Sequence, residues 1–176
     1  MKPIEEEVRT LANTIIKSFK KSKKRHLLIT GSKKSGKTTV LNEILKGENG
    51  VGGIITDAIR DNQIPPKYVI LVDINDQNTT EIIAKRNASN TALVPICETF
   101  EVFGVSILKQ CIESDIETIV IDEIGFLEDN APNYQKLIMA CLDQKKVIFV
   151  LRKQPTELIE RIKSREDIYL VDMDEM

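Results

Sequence analysis

Gly31-Ser32-Lys33-Lys34-Ser35-Gly36-Lys37-Thr38 is a complete G-x-x-x-x-G-K-T sequence, and its surroundings decide how it is read. The apolar run His26-Leu27-Leu28-Ile29-Thr30 precedes it, and a helix-forming stretch from Thr38 to Lys46 follows. Strand, loop and helix in that order are the context a phosphate-binding loop requires. The two glycines let the backbone curl so that successive N–H groups converge on phosphate oxygens, and the helix N-terminus adds a favourable dipole. On this reading Gly31, Ser32, Lys33, Lys34, Ser35, Gly36, Lys37, Thr38 and Thr39 hold the phosphates. Lys37 reaches the β- and γ-phosphates, and the Thr38 hydroxyl completes a Mg²⁺ shell. The bland alternative is a polar surface turn before a helix, and the flanking elements argue against it. The expected ligand is a nucleoside triphosphate or diphosphate.

Thr118-Ile119-Val120-Ile121-Asp122-Glu123 is the second informative segment. A β-branched apolar run ending in a carboxylate is how a buried parallel strand delivers an acid to the carboxyl edge of its sheet. Asp122 is therefore the expected second metal ligand, opposite Thr38. Glu123, one residue further, is placed to polarise an attacking water. Gly125 completes a D-x-x-G spacing used by GTPases, either to approach the terminal phosphate or only to permit a turn. The base-reading N/T-K-x-D sequence is absent: Val147 to Leu151 runs instead into Arg152-Lys153-Gln154, so guanine specificity is not inferred.

Composition fits one ordinary domain. A chain of 176 residues with 41% hydrophobic content can bury a single good core. A net charge of −2 gives no global attraction to nucleic acid or acidic membranes. No apolar run approaches the roughly 20 residues needed to span a bilayer, and no secretory signal is recognisable. Cys97, Cys111 and Cys141 are odd in number and form no C-x-x-C pair, which suits small apolar packing in a reducing cytoplasm. His26 is the only histidine, so a multi-histidine metal site is excluded and a structural role is expected for it.

Ile4, Val8, Leu11, Ile15, Ile16 and Phe19 recur at helical spacing and predict an amphipathic N-terminal helix. Packing on its own domain is the default, with a protein partner or a membrane surface as alternatives. The basic run Lys17, Lys20, Lys21, Lys23, Lys24 and Arg25 has no aromatic platform among its cations and argues only weakly for nucleic acid. Residues 1–25 are thus expected to be a helix and basic linker before a domain at 26–176. Within that domain Val51 to Thr56 reads as a strand. Ala58-Ile59-Arg60 and Tyr68 to Val72 read as an antiparallel hairpin turning around Asp61-Asn62-Gln63. Residues 74 to 98 carry no clear pattern beyond an extended edge segment, Thr91 to Cys97, with Pro95 inside it. Helices are expected at about Phe100 to Ser114, Tyr134 to Leu142 and Thr156 to Lys163, with strands at Val147 to Leu151 and Ile168 to Val171. Such alternation predicts an α/β fold whose mostly parallel sheet is flanked by helices, with the nucleotide at the strands' carboxyl ends.

The chain resembles the small nucleoside-triphosphatases first associated with thermophiles, a family that includes a human cancer-related form. Three pieces carry the resemblance: His26 to Gly31 with Gly36-Lys37-Thr38-Thr39; Gly53-Ile54-Ile55-Thr56-Asp57-Ala58-Ile59-Arg60; and Ile119-Val120-Ile121-Asp122-Glu123-Ile124-Gly125. Ile54 stands where the family has an aromatic, Asp57 where it has Glu, and Phe126-Leu127-Glu128 where it has Pro-Met-Glu. Two loop lysines replace Pro and Gly, residues 1 to 25 lie outside the pattern, and the Asn-Arg stretch near the family's end is not recognisable. The resemblance implies a phosphate-loop three-layer sandwich with an inserted β-hairpin. It also implies slow, base-tolerant, Mg²⁺-dependent hydrolysis of triphosphates such as ATP and GTP to diphosphate and phosphate.

The resulting expectation gives Lys37 and the loop amides the phosphates, Thr38 and Asp122 the Mg²⁺, and Glu123 the water. Transition-state charge needs a further cation, for which Arg60, Arg152 and Lys153 are the first candidates. Arg161 and Arg165 are weaker ones, as part of a lid. Two rivals share the same loop. A nucleotide or small-molecule kinase would add an acceptor pocket, and a nucleotide-gated partner-binding switch would turn over weakly and bind a protein through the N-terminal helix.

Overall fold

The computed structural model describes residues 3–59, 67–89 and 91–176. Among them, eight strands form one sheet in the order β5-β4-β3-β2-β6-β7-β1-β8. The strands are β1 (His26–Thr30), β2 (Val51–Ile59), β3 (Tyr68–Asp73), β4 (Thr80–Arg86), β5 (Leu93–Pro95), β6 (Thr118–Ile124), β7 (Lys146–Leu151) and β8 (Ile168–Asp172). From β2 through β6, β7 and β1 to β8 every neighbouring pair is parallel. The helices are α1 (Pro3–Ser22), α2 (Lys37–Leu45), a single turn α3 (Cys97–Thr99), α4 (Val105–Glu113), α5 (Pro132–Gln144) and α6 (Glu157–Lys163).

Strict alternation along the central strands divides the core in two. Leu27, Ile29, Val120, Ile148, Val150 and Val171 point to one face, where Ala12, Ile15 and Phe19 of α1 and Val40, Leu41 and Ile44 of α2 cover them. Leu28, Ile119, Ile121, Val147, Phe149 and Leu151 point to the other, under α4, α5 and α6. Because the side-chain period is two, strands buried on both faces read as continuous apolar runs. The result is helix, sheet and helix in three layers. The apolar stripe of α1 is therefore spent on its own sheet, and Phe19 also stacks near Tyr169 with ring centroids 6.0 Å apart.

The expected hairpin is present as β2 and β3, antiparallel with Ile55 opposite Val72; its turn lies outside the described residues. It is larger than the sequence indicated. β4 adds antiparallel to β3, and β5 adds to β4 as the edge strand, with Ala84 opposite Pro95. The segment expected as one helix from Phe100 is irregular at its start: α3 passes through a π-helical turn, Phe100–Gly104, before α4 begins. There Phe100 packs on Tyr134 of α5, the ring centroids 5.2 Å apart.

Candidate active site

Parallel strands bring their carboxyl ends to one edge, so segments far apart in sequence converge there. The phosphate loop leaves β1, Asp122 and Glu123 lie near the end of β6, Arg152 and Lys153 follow β7, and Asp172 ends β8 with Met173 and Asp174 after it. A cleft of about 440 Å³ at this edge is lined by Gly31, Ser32, Lys33, Lys37, Glu123, Arg152, Lys153 and Gln154.

The loop closes tightly on itself. At Gly31, with φ 149°, an added Cβ would stand 2.7 Å from Ser35 Oγ and 2.9 Å from Met173 Cβ, so no side chain fits. Lys37 opens α2 and is 7% exposed. Its ammonium curls back over the loop and donates to the carbonyls of Gly31 at 3.0 Å and Ser32 at 2.8 Å. The Ser32 N–H donates to the Asp174 carboxylate at 2.9 Å, and the Ser32 hydroxyl reaches the same group at 2.8 Å. Those two bonds and the Lys153 ammonium, 3.0 Å away, hold the Asp174 carboxyl down at about 2. Lys153 also pairs with Asp172 at 2.7 Å, so this cation of the cleft is already engaged.

Asp122 is 2% exposed. Burial, and then the adjacent Glu123 charge, push its carboxyl up to about 7, while a hydrogen bond from Thr38 and the Lys37 charge oppose the rise. Its Oδ1 is buried with no hydrogen-bond partner. A buried carboxylate oxygen without a partner demands an explanation. Set beside a threonine hydroxyl at a phosphate loop, it is the oxygen donor set a hard divalent cation takes, with substrate phosphates completing the shell.

Glu123 is fixed from two sides. Its N–H donates to Thr56 Oγ1 of β2 at 3.2 Å, and its Oε2 lies 3.0 Å from Arg152 Nε. The Arg152 N–H donates to the Ile124 carbonyl at 2.8 Å, and its guanidinium lies 5.7 Å from the centre of the Phe126 ring. Gly125 makes this route open: a Cβ there would stand 2.8 Å from Arg152 Cδ. The Gly125 amide itself donates to Glu128 Oε2 at 2.9 Å. In this structure Gly125 serves the turn, the second of the two roles its spacing allowed.

Of the residues expected from sequence, the structure gathers the loop, Lys37, Thr38, Asp122, Glu123 and Arg152, with Lys153 beside them. Arg60 lies outside the described residues. Arg165 is at the far end of β1, paired at 2.8 Å with both Asp143 and Asp167, and so is no lid residue. Arg161 does not line the cleft. Thr56, Glu128 and Asp174 were not anticipated as site residues. For Glu128 the sequence carried no distinguishing signal, since it opens the polar run Glu128-Asp129-Asn130 and reads as an ordinary loop acid.

Fold and site together define a phosphate-loop nucleotide-binding protein with an acid pair at the end of β6, one strand removed from the strand that feeds the loop. The model of a family described as NTPase matches residues 26–176, and the chain belongs to that family. It is 24% identical over 154 residues to the nucleoside-triphosphatase THEP1 of Thermotoga maritima, covering 85% of this chain and 86% of that protein. The corresponding protein of Thermotoga petrophila is 25% identical over the same length, covering 85% and 84%. Among solved structures, THEP1 from Aquifex aeolicus superposes with a TM-score of 0.68 at 18% identity, over 84% of this chain and 89% of its own. A human cancer-related nucleoside triphosphatase gives 0.63 at 22% identity, over 84% and 88%. These structural likenesses establish the fold.

Proposed function

We propose that this chain hydrolyses nucleoside triphosphates, ATP and GTP among them, to diphosphate and phosphate in a Mg²⁺-dependent reaction. The observation that carries the reading is the Glu123–Arg152 pair, facing the loop lysine across one cleft. The names of the curated relatives support it. Thr38 and Asp122 would hold Mg²⁺, which neutralises charge on the phosphate oxygens. Lys37 leaves the carbonyls of Gly31 and Ser32 for the β- and γ-phosphates. Glu123 takes a proton from the water whose oxygen bonds to the γ-phosphorus as the bond to the β–γ bridging oxygen breaks. Arg152, paired with Glu123, offsets the charge that develops; Arg60, from the family's middle motif, is the alternative. The acid pair beside the loop favours water as the acceptor over a second substrate. Residues 26–176 form the catalytic unit. A protein partner would meet the charged outer face of α1, since its apolar stripe is buried. Cys97, Cys111 and Cys141 are free thiols, which supports placing the protein in the cytoplasm.

Phosphate release from ATP, GTP, CTP and UTP, with and without Mg²⁺, tests the proposal. Several triphosphates should be cleaved only with Mg²⁺, and Glu123→Gln should abolish release while nucleotide binding persists. Lys37→Ala should lose binding itself. Tight binding with no release by the wild type would point to a kinase or a switch.

A further inference from the structure

Glu128 lies outside the cleft and is 3% exposed. Removing a carboxylate from water is costly, and burial pushes this one up to about 7. The chain nevertheless folds around it. Its Oε2 accepts the Gly125 N–H at 2.9 Å. Its main-chain carbonyl accepts from Ala131 N–H at 3.0 Å and from the Gln135 side chain at 2.8 Å. Arg152 runs over that same turn at Gly125. Gly125 has no side chain to block the Arg152 methylenes, Phe126 lies beneath the guanidinium, and Ile124 accepts the Arg152 N–H. The negative charge of Glu128 is also felt by Arg152, which in turn favours the ionised carboxylate.

We propose that Glu128 is a positioning residue for the Glu123–Arg152 pair: by holding the Gly125 amide it fixes the turn that guides Arg152 to Glu123. The inference rests on the hydrolase reading for its consequence in turnover, and on geometry alone for the placement of Arg152. Loss of the amide's acceptor frees the turn and lets the guanidinium leave the carboxylate, without touching the phosphate loop.

The comparison uses wild type, Glu128→Met, Glu128→Gln, Arg152→Ala and the Glu128→Met/Arg152→Ala double variant. Methionine fills the volume but accepts no amide bond of this strength, whereas the glutamine carbonyl still can. Glu128→Met should lower kcat by roughly 10- to 100-fold with KM little changed, and Glu128→Gln should recover most of it. The double variant should be no slower than Arg152→Ala, since both remove one arrangement. In parallel, the Gly125 amide and Arg152 Nε–H proton resonances should both shift in Glu128→Met and return toward wild type in Glu128→Gln. An unshifted Arg152 resonance, or losses that multiply in the double variant, would overturn the proposal. Should Glu128→Met not fold, Glu128→Asp, one methylene short of the amide, serves the same comparison. If the wild type releases no phosphate, the hydrolase reading fails, while the Arg152 resonance still decides the role of Glu128.

Discussion

Arg152 shows how much of this site depends on what a single residue lacks or offers. Its stem crosses Gly125, its guanidinium lies over Phe126, and its Nε pairs with Glu123 at 3.0 Å. A guanidinium is planar, weakly hydrated and able to stack while donating, which an ammonium cannot do. Arg152→Ala should therefore lower kcat by at least about 100-fold while nucleotide affinity changes little, because a cation that meets charge only in the transition state is worth several kcal/mol. Arg152→Lys should restore little of it. Single-turnover phosphate release with a separate binding titration checks this; a loss confined to affinity would make Arg152 a ground-state ligand instead. Gly125→Ala should resemble Arg152→Ala, since its methyl would occupy the path of the stem. Lys37, Thr38, Asp122, Glu123 and Arg152 were legible because each sits in a local pattern: a loop motif, a strand end, a strand exit. Thr56 and Asp174 were not, because their partners lie 67 and 142 residues away and no local pattern encodes such a pairing.

At the level of elements, legibility followed burial. β1, β6 and β7 are covered on both faces and read as unbroken apolar runs, so their positions were evident. β4, Thr-Glu-Ile-Ile-Ala-Lys-Arg, has polar residues at both ends and only Ile83 and Ala84 fully buried, so no strand period stood out. The π-helical turn at Phe100–Gly104 is likewise invisible in a pattern of apolar spacing, since it reflects packing against Tyr134. α1 was legible as a helix, while its partner was not, because an apolar stripe does not name what covers it. The structure supplies the answer, and with it a prediction. Ile15 is 1% and Phe19 5% exposed, both on the face that α1 shares with α2 and the sheet. Phe19→Ala should cost about 3–5 kcal/mol and Ile15→Ala about 2–5. For a chain of this size each kcal/mol lowers the melting temperature by roughly 2–4 °C. At a temperature where both variants remain folded, phosphate release should stay near wild type. Unchanged melting would mean that α1 contributes nothing to the domain it lies on.

Across the whole molecule, two buried ionisable groups at opposite ends of the sheet set opposing pH dependences. His26 begins β1, away from the phosphate loop, fully buried, with Nδ1 accepting the Val147 N–H at 3.1 Å and Nε2 lying 3.2 Å from Asp167. Burial lowers its basicity below the ordinary 6.5 despite the Asp167 charge. The unfolded chain therefore binds the extra proton first, and His26 costs stability as pH falls below about 6.5. Glu128 acts in the other direction. Its folded-state value of about 7 exceeds the unfolded 4.5, so between the two the folded chain binds more protons. By linkage the stability of the wild type falls as pH rises through that window. Glutamine cannot ionise, so the stability of Glu128→Gln relative to wild type should grow as pH rises from about 4.5 to about 7 and then level off. The full span is on the order of 3 kcal/mol at most. A His26→Gln variant should differ from wild type in its pH slope only on the acid side, below about 6.5, where the unfolded wild-type chain takes up a proton on its imidazole and the variant cannot. Asp122, also raised to about 7, behaves like Glu128, and Mg²⁺ with nucleotide should suppress its share by favouring the ionised form. Thermal melts of the three proteins between about pH 5 and pH 8, nucleotide-free, separate these contributions. Parallel curves for wild type and Glu128→Gln would mean that Glu128 remains ionised throughout, held by Arg152 and the Gly125 amide more strongly than burial opposes it.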